Sequence, residues 1–516
     1  MEPDMPETKL PSELFLSQQV RDIDSSAINR HGIKGFSLMN KAAKFSFNIL
    51  LERFPNCQKV TVLCGSGNNA GDGYIVAALA KAYGIACNVY FLSPPDKLVG
   101  DAQSAYQMCL AENVSCDHYS DKSLASETDN HIIVDALLGT GLNSPVRGLY
   151  ADAIEAANKS TAPILAIDIP SGLNANTGSI MGTAIEADCT ASFIALKLGL
   201  FTAEGQHYTG ELYYDDLEVP AKIINEQTPI AHCLSLQKLL DQVSVRPRHF
   251  HKGNCGHTLI VGGDRGYGGA VLMAAEAALR CGSGLTSVIT HQDHCSALLS
   301  RTPEVMVTST ENTQQVEQLL DAATVIVIGP GLGRSAWSEK LLQRVIKLDK
   351  PLVLDADALN ILTNKQNWIN SVDKENQGKR IYTPHPGEAA RLLGHGSAGL
   401  IQQDRLHAIT ELSNKLGGHI LLKGSGSLLA SKGETISICP YGNPGMASGG
   451  MGDVLSGIIG SLVAQGFAEG FALRLATTLH ARAADIAAKQ SGERGLSACD
   501  LIPVVRSLLN KLNYEL

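Results

Sequence analysis

The chain has 516 residues, of which 44% are hydrophobic and 18% charged, the composition of a globular protein too long for a single hydrophobic core. Its 42 Lys and Arg against 51 Asp and Glu give a net charge of −9 without long runs, which leaves no basic footprint for a nucleic acid and makes small molecules the expected partners. Residues 1–9 are acidic and contain proline, unlike a secretory signal, and no stretch approaches the ~20 apolar residues of a membrane span. The 12 cysteines are scattered with no Cys-x-x-Cys pair, as expected of reduced thiols in a cytoplasmic protein.

Two amphipathic segments, 17–30 and 37–54, read as helices. Short Val- and Ile-rich runs follow at 59–64, 86–92, 131–135, 163–168 and 189–194, separated by longer Ala/Leu segments of helical period. This alternation is the pattern of a parallel sheet covered by helices. Residues 218–248 carry Val-Pro, Thr-Pro and Arg-Pro steps that break secondary structure, so a domain boundary is expected near residue 230. Beyond it come strand candidates at 257–262, 285–290, 324–329, 351–355, 379–383 and 419–423. The expectation is two different α/β domains, 1–225 and 230–516.

In the first half, the strand at 59–64 runs into Gly65-Ser66-Gly67-Asn68-Asn69-Ala70-Gly71-Asp72-Gly73, and a helix is expected from near Tyr74. Glycines permit a tight turn and close approach of a ligand, and the helix start offers unpaired N–H groups to an anion. Asp135, the loop Gly139-Thr140-Gly141 and Asp168-Ile169-Pro170-Ser171-Gly172 end further strands. In an open parallel sheet such strand ends meet in one crevice. Taken singly, Asp135 or Asp168 also reads as a helix cap.

In the second half, Gly442-Asn443-Pro444-Gly445-Met446-Ala447-Ser448-Gly449-Gly450-Met451-Gly452-Asp453 opens a helix through Leu462. The run suits an anion hole, with Asp453 in the first turn as a candidate base. Lys423-Gly424-Ser425-Gly426-Ser427, Thr383-Pro384-His385-Pro386-Gly387-Glu388, Gly329-Pro330-Gly331-Leu332-Gly333 and the loop from Gly262 to Ala270 end four other strands. Together they describe a nucleotide-sized cleft. His385 by itself also reads as a structural histidine.

The run Asn68 to Gly73 matches the Asn-Asn-x-Gly-Asp-Gly signature of the NAD(P)HX epimerases, which residues 1–225 resemble. The resemblance implies a Rossmann-like α/β/α fold and interconversion of the R and S hydrates of NADH and NADPH (NADHX and NADPHX). It implies substrate contacts at Asn68, Asn69, Ala70, Gly71 and Asp72, at Gly139, Thr140, Gly141, Leu142, Asn143, Ser144 and Pro145, and at Asp168, the carboxylate expected to handle a proton. It also implies a potassium ion held by Asn69, Asp135 and Ser171, whose hard oxygens suit such a cation.

Residues 230–516 are similar to the ribokinase-like fold, in its ADP-dependent NAD(P)H-hydrate dehydratase branch. That resemblance assigns Ala270, Gly333, His385 and Asp453 to the hydrated cofactor, and Lys423, Gly424, Ser425, Gly426, Ser427 and Gly452 to the nucleotide. Met451 stands where the wider fold carries a small residue such as Ala. The implied chemistry is phosphorylation of the ring hydroxyl by ADP (or ATP) with magnesium, Asp453 acting as base, then expulsion of phosphate; with ADP the other product is AMP. A homo-oligomer is expected. The alternative is a ribokinase-like vitamin or sugar kinase fused to a non-catalytic nucleotide-sensing domain.

Overall fold

The structure, a computed structural model, describes residues 10–120, 123–124, 130–365, 367–368 and 378–511. Residues 1–9, read above as unlike a secretory signal, lie outside the described residues. The chain divides between His232 and Cys233 into two compact units. Among the described residues no helix is long and apolar enough to cross a membrane, and no disulfide joins the cysteines.

The first unit is built on seven parallel strands in the spatial order Ser115–His118, Ala86–Phe91, Lys59–Cys64, His131–Ala136, Ile164–Ile167, Cys189–Phe193 and Glu211–Asp215. Counted along the chain this is third, second, first, fourth, then fifth to seventh. The direction of growth therefore reverses between Lys59–Cys64 and His131–Ala136, opening a crevice at their carboxyl ends. Val60, Val62, Ile132 and Val134 pack on one face against the helices Gly35–Arg53 and Asn68–Tyr83, while Leu63 and Ile133 pack on the other against Leu149–Lys159. Burial on both faces is why these strands read as continuous apolar runs. The edge strands Ser115–His118 and Glu211–Asp215 escaped the sequence reading because the first is largely exposed and polar and the second buries only Tyr213.

The expected helix start near Tyr74 is corrected to Asn68. Gly71 and Gly73 lie inside the first turns, not in a preceding turn. A Cβ on Gly73 would come within 2.5 Å of the Ala136 Cβ and 3.1 Å of the Cys64 sulfur. Here glycine lets the helix settle directly onto the strand ends.

The second unit repeats the same order. Met306–Ser309, Leu285–Thr290, His257–Val261, Val325–Ile328, Leu352–Leu354, Arg380–Tyr382 and His419–Leu422 are parallel, with a reversal between His257–Val261 and Val325–Ile328. Ser427–Ser431 and Ile436–Cys439 then add antiparallel strands not expected from the sequence. The short connections, one turning at Gly433 (φ +82°), allow no crossover and so force antiparallel pairing. At the centre lies the helix Met451–Ala464, almost wholly buried. It reaches the helix Gly268–Arg280 through Gly457, where a Cβ would fall 2.1 Å from the Ala274 carbonyl oxygen.

Candidate active sites

In the first unit the loops on either side of the reversal touch, since a Cβ on Gly65 would lie 1.9 Å from the Leu137 carbonyl oxygen. Asn69 projects from the adjoining helix turn with both polar side-chain atoms buried and without a hydrogen-bond partner. Gly139 faces it: a Cβ there would sit 3.5 Å from the Asn69 Cβ and 3.9 Å from Asp168 Oδ2. Asp135 is fully buried; its Oδ1 accepts from Ser171 Oγ at 2.6 Å and the Leu137 amide at 3.1 Å, and its Oδ2 from the Ser171 amide at 2.8 Å. Burial pushes its carboxyl up to about 6 against those bonds. Ser171 Oγ also receives the Leu138 amide at 2.8 Å, so Asp135, Ser171, Leu138, Gly139 and Asn69 form a continuous patch.

Asp168 occupies a strained position. Its φ is +68°, with the Ile169 amide bonded across it to the Ile167 carbonyl at 2.8 Å, a turn that costs of order 1–3 kcal/mol for a residue with a side chain. The same motif recurs at Ile194, φ +64°, where the Ala195 amide reaches the Phe193 carbonyl at 2.7 Å. The second turn leads into Leu196–Lys197, a two-residue strand paired with Leu14 and Phe15. Lys197 is completely buried, and its ammonium donates to Asp168 Oδ1, to Ser192 Oγ at 3.1 Å and to the Phe193 carbonyl at 3.3 Å.

Asp72 is pushed well above the usual carboxylate range by burial and then by the charge of Asp168; Asp24, on the helix Ser17–Asn29, is raised for the same reasons. The ion-paired carboxylate of Asp168 is thus grouped with two that burial drives toward the neutral form. The loop is anchored where Arg21 donates to the Thr140 carbonyl at 3.2 Å, leaving Gly141, Asn143, Ser144 and Pro145 exposed and Leu142 half-buried. Asn68 is exposed, while Ala70 and Gly71 are buried.

Sequence reasoning missed Lys197 and Asp24. A signal existed for Lys197, the lone charge in residues 189–201. Asn69 offers an unpartnered buried amide and Asp135 a buried carboxylate, a hard-oxygen set that fits a potassium ion.

In the second unit Asp355, at the end of Leu352–Leu354, is buried and accepts from Lys423 Nζ at 2.8 Å, Thr383 Oγ1 at 2.8 Å and Ser456 Oγ at 2.7 Å. Burial alone would raise its carboxyl, but Lys423 and the two hydroxyls hold it below the usual value. Gly452 lies over this pair, a Cβ there standing 3.4 Å from Lys423 Nζ. One residue on, Asp453 is pushed up to about 7 by burial and by Asp355, against the pull of Lys423. The helix starts at Gly450, φ +91°, and the N–H groups of its first turn have no carbonyl of the helix to bond, which makes an anion site beside Asp453.

His385 caps the helix Pro386–Leu393, its Nδ1 accepting from the Gly387 amide at 3.0 Å. The neutral ring therefore carries its proton on Nε2. Glu388 bonds the His385 amide at 2.9 Å and is raised to about 7, first by burial; it too escaped the sequence reading. Lys423 turns its side chain inward to Asp355, while its main chain leads into Gly424 (φ +140°) and Gly426 (φ +58°). The buried Arg405 donates to the Leu422 carbonyl at 3.1 Å and the Lys423 carbonyl at 3.3 Å, and the Gly424 amide reaches Ser427 Oγ at 3.2 Å. Ala270 packs by Gly331, and Gly333 donates its amide to Asp357 at 3.1 Å while facing Asp264.

Residues 258–506 match the model of NAD(P)H-hydrate dehydratase, and residues 35–199 that of the YjeF-related protein N-terminus. The bifunctional NAD(P)H-hydrate repair enzyme Nnr of Coxiella burnetii is 42% identical over 96% of this chain and 99% of its own length. The Nnr enzymes of Vibrio cholerae and Escherichia coli are 41% and 40% identical, each over 97% of this chain and over 99% and 95% of their own lengths. Among solved structures, the ADP/ATP-dependent NAD(P)H-hydrate dehydratase of Bacillus subtilis is 25% identical, covering 54% of this chain and 98% of its own, with a TM-score of 0.48.

Proposed function

The chain belongs to the family of bifunctional NAD(P)H-hydrate repair enzymes, and from that premise we propose how its two sites divide the work. The first unit is an epimerase that interconverts the R and S hydrates of NADH and NADPH. The second is a nucleotide-dependent dehydratase that returns the S hydrate to the reduced cofactor. The observation that carries the dehydratase reading is Asp453: a carboxyl held near 7, in the first turn of a glycine-opened helix, one residue from the Gly452 that lies over the Asp355–Lys423 pair.

Hydroxide is a poor leaving group and phosphate a far better one. Asp453 takes the proton of the ring hydroxyl as that oxygen attacks the terminal phosphorus of ADP or ATP, and AMP or ADP departs. The helix amides and Lys423 meet the charge that develops on the transferring group. Phosphate then leaves the ring together with a ring proton, restoring the dihydronicotinamide. Lys423, Gly424, Ser425, Gly426, Ser427 and Gly452 hold the nucleotide; Ala270, Gly333 and His385 hold the hydrate. Magnesium would be carried on the nucleotide's phosphates, needing only one or two protein carboxylates, and would supply charge neutralisation there.

In the first unit Asp168, oriented by Lys197, handles the proton of the hydrate, with Asp72 supplying a protonated carboxyl. Asn68, Ala70, Gly71 and the loop Gly139, Thr140, Gly141, Leu142, Asn143, Ser144 and Pro145 enclose the substrate. Asn69, Asp135 and Ser171 would hold potassium, whose charge would favour negative groups of the substrate. We further infer that the enzyme works in the cytoplasm and self-associates.

Near-ultraviolet absorbance of reduced nicotinamide tests the whole reading. Incubated with a mixture of hydrate epimers, ATP or ADP and magnesium, the protein should recover the absorbance completely. No recovery with either nucleotide would refute it.

A further inference from the structure

Resting on the dehydratase reading above, we propose that the adenosine end of the hydrated dinucleotide, with its 2′-phosphate in NADPHX, docks on a shelf formed by Arg265, Tyr267, His291 and Trp337. These residues lie at the carboxyl ends of strands on one side of the reaction centre. From Leu352–Leu354, which ends at Asp355, the sheet runs to Val325–Ile328, then His257–Val261, then Leu285–Thr290. Three strand spacings of ~4.8 Å make roughly 14 Å, a distance that an extended dinucleotide spans. The other side of Asp355 is taken by Lys423 and its glycine loop, so the two substrates approach from opposite sides.

The intervening ground is built for a close-lying chain. It is the reversal point of the sheet, where a Cβ on Gly262 would fall 2.0 Å from the Pro330 carbonyl oxygen, and where Gly331 faces Tyr267 and Ala270. Reversal points of this kind are where dinucleotides cross an open sheet. Beyond it, the shelf carries the two chemistries an adenosine phosphate needs. Tyr267 is 61% exposed, and the rings of His291 and Trp337 lie 6.5 Å apart at 60°. Trp337 is fixed by its indole N–H, which donates to Thr310 Oγ1 at 3.0 Å. Arg265, 78% exposed, donates through Nε to His291 at 3.2 Å; its nearest carboxylate, Asp293, is 3.9 Å from that same Nε. The terminal guanidinium nitrogens are left for a dianion, the group arginine's planar fork matches best.

The test uses the whole chain at saturating ATP, with NADPHX and NADHX as separate substrates. Arg265→Ala should lower kcat/KM for NADPHX at least ~10-fold further than for NADHX, as loss of a charge-assisted hydrogen bond predicts. The KM for ATP should not move, and Arg265→Lys should recover part of the difference. Adenosine 2′,5′-bisphosphate should inhibit competitively against NADPHX but not against ATP, and Tyr267→Ala should weaken that inhibition. An unchanged NADPHX-to-NADHX ratio in Arg265→Ala, or competition of the bisphosphate with ATP, overturns the shelf while leaving the dehydratase reading intact. Failure of the unsubstituted protein to dehydrate either hydrate would instead strike the reading beneath it.

Discussion

Both units string their strands in the same order and set a lysine, buried in the first and half-buried in the second, against an aspartate at the strand ends, yet the pairs are proposed to do different work. In the first unit the paired Asp168 is itself the carboxylate aimed into the pocket, held there by Lys197 and a strained turn. In the second the pair Asp355–Lys423 lies beneath the proposed site, and the carboxyl proposed to work is Asp453, with no cation bound to it directly among the described residues and raised to about 7. A lysine that touches a carboxylate favours its ionised form; a lysine one group away leaves burial to dominate and poises the carboxyl near neutrality. In the first unit the lysine fixes the direction of the carboxylate that would handle the proton; in the second the surroundings poise a general base that must accept and release a proton in each turnover.

Substitution should separate the two halves. Asp453→Asn should lower dehydration by ~100-fold or more, the usual contribution of a general base, with the rate of epimerisation unchanged. Retention of a substantial fraction of dehydratase turnover would remove Asp453 from its role. Lys197→Met should act on the other side alone: losing a hydrogen bond to a charged group, worth ~1.5–3 kcal/mol, predicts roughly a 10- to 150-fold slower epimerisation. Equal loss in both activities would mean that Lys197 supports the fold instead of Asp168.

The pH profiles sharpen the contrast. Asp453 is a base only when deprotonated, so dehydration should fall about ten-fold per unit as pH drops below about 7. Replacing Asp355 by Asn removes the nearby negative charge that raises Asp453 and should move that limb to lower pH; a limb that stays in place would show that another group controls it. The smallest effect expected is that of the cation. Exchanging potassium for sodium should slow epimerisation several-fold and leave dehydration alone, and equal epimerisation rates in both salts would exclude a catalytic part for the ion proposed at Asn69, Asp135 and Ser171.

Much of this was legible in the sequence. Strands buried on both faces, such as His257–Val261 and Lys59–Cys64, announce themselves as apolar runs, and glycine-rich runs mark strand ends where backbone meets backbone, as at Gly65 and Gly262. Asp453 could be picked out because its neighbours in sequence build the anion site. Lys197 and Glu388 could not be assigned that way: Asp168 stands 29 residues from Lys197, and Glu388 owes its raised carboxyl to burial and to Asp355, against the pull of Lys423. The start of the helix at Asn68 was hidden because Gly71 and Gly73 resemble a turn until Met39 and Ala102 are seen packed against the first and Ala136 and Cys64 against the second. Edge strands were lost for the opposite reason, having too little apolar surface to show a period.

The central claim, two independent active sites in one chain, is tested most directly by mixing two full-length variants. With hydrate epimers, ATP and magnesium, Asp168→Ala should give a rapid rise in reduced-nicotinamide absorbance to a partial plateau, followed by a slow phase set by spontaneous epimerisation. Asp453→Asn should give almost no rise. Together they should restore a single rapid rise to the full value, each variant supplying the site the other lacks. A mixture that still stops at the partial plateau, or an Asp168→Ala variant that consumes both epimers at one rate, would contradict the division of labour.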